Sequence, residues 1–363
     1  MKNNSQKNKE ISRRKFLGKT AAGIGLGIIS SSTSCSTRDV SASREIEIKR
    51  RGVKVASIDL QHLYPENSIE SRIKNVLGRM ERAAGYEPDI ICLPETFNTS
   101  YVDEDKSYEE IAEDEKIPGP VTSRISEFAR NQNCYVICPI VTKDEGMYFN
   151  SAILIDRKGS IAGVYHKAHP VDTEIKEGKG IIPGPIRPPV FETDFGKIGM
   201  QICFDANWFE SWTHMKEDGA EIVFFPSQFP GGRILDFHAW RNNYYIVSST
   251  GEDARIIDIS GIDIDSSSFQ LGYTWATLNL EKKYVPTFPG KYSIPDIYKK
   301  YGSKVKIKVY RDTGGGAGTG AGHITIESND PDLFVRDILS EFEIPTYREE
   351  LKISQEIQAK YRP

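Results

Sequence analysis

The stretch Phe195-Gly196-Lys197-Ile198-Gly199-Met200-Gln201-Ile202-Cys203-Phe204-Asp205 carries a short apolar run that ends on a cysteine. Such a run reads as a buried strand, and its last residue falls where chemistry collects in open α/β sheets, in the crevice beyond the carboxyl ends of the strands. Two more runs end the same way. Asp89-Ile90-Ile91-Cys92-Leu93 leads to Pro94-Glu95, and Ile161-Ala162-Gly163-Val164-Tyr165 leads to His166-Lys167. A thiol, a carboxylate and an ammonium therefore occupy equivalent places at three predicted strand ends.

Outward from these three runs, β-rich segments alternate with helical periods. Val53 to Leu60 is a predicted strand; Ile69, Ile73, Val76, Leu77 and Met80 recur at helical spacing; Pro118-Gly119-Pro120 introduces a helix from about Val121 to Asn131. Cys134 to Val141, Met147 to Ile155 and Ile161 to Lys167 follow, the last two separated by the turn residues Asp156-Arg157-Lys158-Gly159. Further segments are Val190 to Cys203, a helix from Glu210 to Asp218, Glu221 to Phe225, a helix from Leu235 to Tyr244, Ile246 to Ser249 and Thr274 to Leu280. This interleaving makes the class α/β, with mixed sheets covered by helices.

The 363 residues carry a net charge of -4 with both signs interspersed, so no block of charge points to nucleic acid. Residues 1–35 read as a targeting segment: a polar basic start, Ser12-Arg13-Arg14-Lys15-Phe16-Leu17, then a weakly apolar run from Ala21 to Ile29 too short to span a bilayer. The pattern resembles a twin-arginine export signal and predicts a periplasmic or envelope-associated protein. Ser34-Cys35 leaves two alternatives open, lipid attachment at Cys35 or a polar linker, and 36–51 continues as linker. Cys92, Cys134, Cys138 and Cys203 fall inside strand-like runs, as free thiols do, and a route that exports folded protein is compatible with them. From about Tyr284 the chain turns Pro-rich and Tyr-rich, and 284–363 reads as a C-terminal extension with a strand at His323 to Glu327 and a helix near Leu333 to Phe342. The glycine run Gly314 to Gly322 lacks the Lys-Ser or Lys-Thr of a phosphate loop and precedes a strand where a dinucleotide motif needs a helix. A flexible surface loop remains.

Taken singly, Glu95, Lys167 and Cys203 each have an ordinary explanation as a loop cap, a solvent-facing amine and a packed thiol. Together they suit acyl transfer. A neighbouring cation favours the thiolate, a carboxylate carries its proton, and an ammonium with the backbone N–H of Phe204 stabilises an oxyanion. A metal reading of His166 and His169 lacks a third ligand, and no cofactor is called for.

In this order, the motifs Ile91-Cys92-Leu93-Pro94-Glu95-Thr96-Phe97, Tyr165-His166-Lys167-Ala168-His169 and Phe195 to Asp205 resemble those of the nitrilase superfamily, from about Lys54 to about Leu280. The resemblance implies a four-layer α-β-β-α sandwich with two mixed β-sheets over 52–283, assembled as a homodimer or higher homo-oligomer. It also implies a supporting glutamate before Pro183-Gly184, for which Glu177 fits the spacing best and Glu174 is the rival. Phe204 and Trp208 are expected either in the wall of the site or in packing. Where many relatives carry Arg-Ala-x-Glu-Asn, this chain has His238-Ala239-Trp240-Arg241-Asn242, which exchanges charge near the pocket and leaves the substrate open. Cys203-Phe204-Asp205 is more similar to the amidase and carbamoylase pattern than to the Cys-Trp-Glu of true nitrilases. Hydrolysis of a small amide or carbamoyl compound is the resulting expectation; nitrile hydrolysis, acyl transfer and a non-catalytic exported binding protein are the alternatives.

Overall fold

The computed structural model describes residues 52–63, 67–102, 106–176, 180–267, 270–287, 292–310 and 322–363. The leader and linker, Glu177 and most of the glycine run lie outside the described residues. The first sheet begins with β1 (Gly52–Ile58) and β2 (Ile90–Cys92), parallel strands joined across α1 (Ile69–Ala84). Ser68 caps α1 by accepting from Ser71 N at 3.1 Å, and the apolar period that follows supplies its buried stripe of Ile73, Val76, Met80 and Ala83. After α2 (Tyr108–Ile111), β3 (Glu113–Asp114) and α3 (Pro120–Gln132), the strands β4 (Tyr135–Asp144), β5 (Met147–Ile155) and β6 (Ile161–His166) run as an antiparallel meander beside β2. Pro120 starts α3 where a missing N–H costs nothing, and the Glu113 carboxylate accepts from Val121 N at 2.6 Å and Thr122 N at 2.9 Å.

A short helix, α4 (Asp172–Ile175), leads to the second sheet, in which β7 (Val190–Glu192), β8 (Lys197–Met200), β9 (Ile222–Pro226), β10 (Tyr245–Ser249), β11 (Ala254–Ile257) and β12 (Asp263–Ser266) are neighbours in chain order. Helices α5 (Phe209–Glu217) and α6 (Arg233–Asn242) connect β8 to β9 and β9 to β10. β13 (Tyr273–Asn279) returns to the first sheet, antiparallel to β1.

Side-chain alternation sorts these elements into four layers. Ala56, Ile91, Val136 and Ile153 pack on the apolar faces of α1 and α3. Val55, Ile90, Ile137 and Leu154 point the other way, against Ile198, Met200, Ile222 and Phe224 of the second sheet. Val223, Ile246 and Ile257 close the far side under Trp212, Met215, Leu235 and Ala239 of α5 and α6. The result is an α-β-β-α sandwich with two mixed sheets.

Two expectations need correction. Val190 to Cys203 is no single strand: Thr193 N bonds Gly196 O at 2.9 Å in a tight reversal, so β7 and β8 form a hairpin. The C-terminal part is also richer than one strand and one helix. It holds β14 (Lys283–Thr287), α7 (Ile294–Tyr301), β15 (Val305–Tyr310), β16 (Gly322–Ser328), α8 (Val335–Glu341) and α9 (Tyr347–Ala359), with sheet order β14-β16-β15 and its own core of Val285, Ile297, Ile324, Ile326 and Ile338. It packs on α6, where Trp240 Nε1 donates to the Tyr284 hydroxyl at 3.1 Å. No described helix is long and apolar enough to cross a membrane.

Candidate active site

β8 ends at Met200, and Cys203 opens a 3₁₀ turn that runs to Asn207. Its φ of 49° is left-handed, a conformation that a side-chain-bearing residue holds only when its surroundings impose it. Here the imposing group is Asp205, wholly buried. One of its oxygens accepts from Ile202 N at 2.9 Å and from the Tyr165 hydroxyl at 2.7 Å; the other accepts from His169 N and Nδ1, both at 2.8 Å. Asp205 thus bends the Cys203 turn and ties it to the loop that carries Lys167.

Lys167 follows β6, and its backbone is held on both sides: its N–H donates to Asn150 O and its carbonyl accepts from Gly184 N, each at 2.8 Å. A Cβ on Gly184 would lie 2.4 Å from His166 O, so the Pro183-Gly184 pair permits an approach that another residue would block. The Lys167 ammonium is 2% exposed and donates to Glu95 Oε1 at 2.7 Å and Glu174 Oε2 at 2.8 Å. Asn150 Nδ2 bridges the same two carboxylates at 2.8 and 2.7 Å. Glu95, at the end of β2, receives a third bond, from Gln228 N at 2.9 Å. Of the two candidates for the supporting glutamate, Glu174 is therefore placed in the site, and Glu177 lies outside the described residues.

Glu95, Lys167, Glu174 and Cys203 line one cavity of about 480 Å³, together with the apolar side chains of Val141, Ile181, Phe204 and Phe229. Burial alone would depress the Lys167 ammonium, but Glu95 and Glu174 overcome it and hold the amine above its ordinary value. The thiol behaves differently. Burial, and then the Glu95 carboxylate, push Cys203 up to about 11 against the pull of Lys167 and of hydrogen bonds from Ser227 and Gln228. At neutral pH the sulfur therefore keeps its proton, because burial and then the carboxylate beside it outweigh the ammonium. The other described cysteines, Cys92, Cys134 and Cys138, are buried and pushed higher by desolvation.

Phe204 lines the cavity, whereas Trp208 stacks on the His169 ring at 3.9 Å and serves packing. The rings of His166 and His169 turn to different carboxylates, Glu115 and Asp205. His238 does not exchange charge in the pocket. It is buried on α6, stacked on Trp212 at 4.1 Å with Nε2 donating to Ala206 O, and burial pushes it down to about 4, so the ring is neutral. Sequence reasoning missed the bonds of Asn150 and Gln228 to Glu95, since an amide inside or after a strand carries no local signal of a distant carboxylate.

Residues 54–280 match the model of the carbon-nitrogen hydrolase family, most of the two-sheet sandwich and the whole cavity lining. The chain belongs to the carbon-nitrogen hydrolase family. Among members of this family, a β-ureidopropionase of Arabidopsis thaliana is 30% identical over 200 residues, 53% of this chain and 48% of that protein. A nitrilase of Pyrococcus abyssi is 30% identical over 206 residues, 54% of this chain and 74% of that protein. The chain thus spans about half the length of the first relative and about three quarters of the second. An amidase from Nesterenkonia sp. superposes with a TM-score of 0.53 over 62% of this chain and 90% of that one at 18% identity, a likeness of fold.

Proposed function

We propose that the protein hydrolyses small amides through a thioester on Cys203, with Glu95 as proton carrier and Lys167 as oxyanion stabiliser. The observation that carries this reading is the buried Glu95–Lys167 pair, 2.7 Å apart, converging with Cys203 on one cavity. The cluster of two carboxylates, one ammonium and one neutral thiol has a net charge of -1. Passing the Cys203 proton to Glu95 as sulfur attacks the amide carbon moves the negative charge from the carboxylate, by way of sulfur, to the carbonyl oxygen and creates no additional buried charge. The carbonyl oxygen becomes an oxyanion facing Lys167 and the Phe204 N–H. Glu95 then protonates the leaving nitrogen, ammonia departs and the thioester remains. Water, deprotonated by the same carboxylate, attacks the thioester and returns the thiol with a carboxylic acid product. Glu174, bonded to the Lys167 ammonium at 2.8 Å, helps to hold that amine above its ordinary value.

Ammonia release from a panel of amides, carbamoyl compounds and nitriles, with mass spectrometry for an acyl adduct on Cys203, tests this reading; no release from any amide would end it. Glu95→Gln gives a sharper check. Turnover should fall by roughly 10²–10⁴-fold, because the proton carrier is gone. Yet the thiol should ionise more easily, because the carboxylate that raises it is gone. The pH at which iodoacetamide alkylates Cys203 half-maximally should move down from the alkaline range; a move upward would contradict the assigned electrostatics.

We also propose export of the folded protein, supported by Ser12 to Leu17 and the mild apolar run behind it. Changing Arg13 and Arg14 to Lys should hold the protein in the cytoplasm, and unchanged export on fractionation would show the leader misread.

A further inference from the structure

We infer that the cavity selects amides whose acyl part is neutral and apolar, and rejects those carrying a carboxylate, ureido acids included. This rests on the hydrolase reading above and adds a substrate class to it. Beyond the reactive cluster, the described walls are the apolar Ile111, Val141, Val171, Ile181, Phe204 and Phe229, with Tyr108 and the hydroxyls of Thr96, Thr99 and Ser100, which bond one another or the Glu95 and Thr96 carbonyls. Phe204 and Phe229 are 41% and 61% exposed, large apolar rings left open to solvent at a cavity where an acyl chain would cover them.

A substrate carboxylate would need a cation or several free N–H donors here, and the donors are engaged. Lys167 spends two of its three protons on Glu95 and Glu174. Both protons of Asn150 Nδ2 go to the same carboxylates. The Gln228 amide donates to Glu95 O at 2.5 Å, to Thr96 Oγ1 at 2.9 Å and to the Ser100 hydroxyl. What remains is the Tyr108 hydroxyl, with the third Lys167 proton and the Phe204 N–H, both of which the proposed mechanism assigns to the reacting carbonyl. Tyr108 contributes a neutral phenol, kept so by burial and by Glu174. Lys167 is the one cation among the described lining residues; Lys176 lies over the Tyr108 ring at 4.5 Å but does not line the cavity. With two carboxylates against one ammonium, the lining as a whole repels an anion.

The test compares three amides of equal length: hexanamide, its terminal carboxylate analogue adipamate and its terminal ammonium analogue. Binding is titrated on Cys203→Ala protein and ammonia release is followed on the wild type. Hexanamide should bind, and adipamate should be weaker by roughly 10²-fold or more in both affinity and kcat/KM. Phe229→Ala should raise KM for hexanamide and leave kcat nearly unchanged, since the ring touches the acyl chain rather than the reacting carbon. Adipamate or the ammonium analogue equal to or better than hexanamide, or no binding of hexanamide, would overturn the inference. Selective binding of hexanamide without ammonia release would instead break the hydrolase reading and leave the selectivity standing.

Discussion

Cys203→Ala is expected to remove ammonia release by on the order of 10⁴-fold or more, since alanine offers no atom to form the thioester. Stability should change little, within about 1 kcal/mol, because the residue is only half-buried at the mouth of the turn and Asp205, not the thiol, holds that turn. Alanine bears the same left-handed φ burden as cysteine at this position. Thermal unfolding, ammonia release and thiol labelling on the same preparation separate the two effects. Full activity in the variant, or labelling confined to Cys92, Cys134 or Cys138, would remove the nucleophile and with it the mechanism.

Lys167→Ala should damage both chemistry and fold. Loss of the ammonium removes an oxyanion partner, for roughly 10²-fold or more in kcat with less effect on substrate binding. It also leaves the Glu95 and Glu174 carboxylates facing one another with Asn150 as their shared donor. Removing one partner of a buried ion pair costs about 3–5 kcal/mol. The sign with pH follows. In the wild type the Lys167 ammonium is held above its ordinary value, so its stabilisation is complete at neutral pH and is lost only in strong alkali, as pH rises through the raised value. In the variant, acidification lets a carboxylate take up a proton, so part of the lost stability should return as pH falls. Urea unfolding at neutral and mildly acidic pH reads this out; a deficit that does not shrink in acid would mean that the two carboxylates are not the cause.

Much of the sandwich was legible as local pattern. The helical recurrence through Ile69 to Met80 matches α1, and the turn at Asp156 to Gly159 joins β5 to β6 as expected, with Gly159 at φ 76°. What escaped has a physical reason in each case. β12, Asp-Ile-Asp-Ser, is an edge strand exposed at every position, so no buried face stamps an alternation on it. α9 buries only Glu350 among its residues, so its sequence reads as polar coil. In α7, a Pro near the start and two tyrosines mask an apolar face that rests on Ile297.

The amino-acid sequence alone settled that a carboxylate, an ammonium and a thiol each stand within three residues after a strand, since strand ends follow from the period of the residues just before them. It could not settle what those groups do to one another. Glu95 and Lys167 stand 72 residues apart, and Glu95 and Gln228 stand 133 apart, yet each pair is in hydrogen-bond contact. Only the stacking of two sheets brings β2, β6 and β8 to one crevice and buries the sulfur beside Glu95 and Lys167, where burial and the carboxylate together outweigh the ammonium. The same packing gave Glu174 its place in the site, and it made His238 a neutral core ring rather than a charge in the pocket. Protonation and partnership depend on burial and on distance between remote residues, and neither is a property of a local stretch of chain.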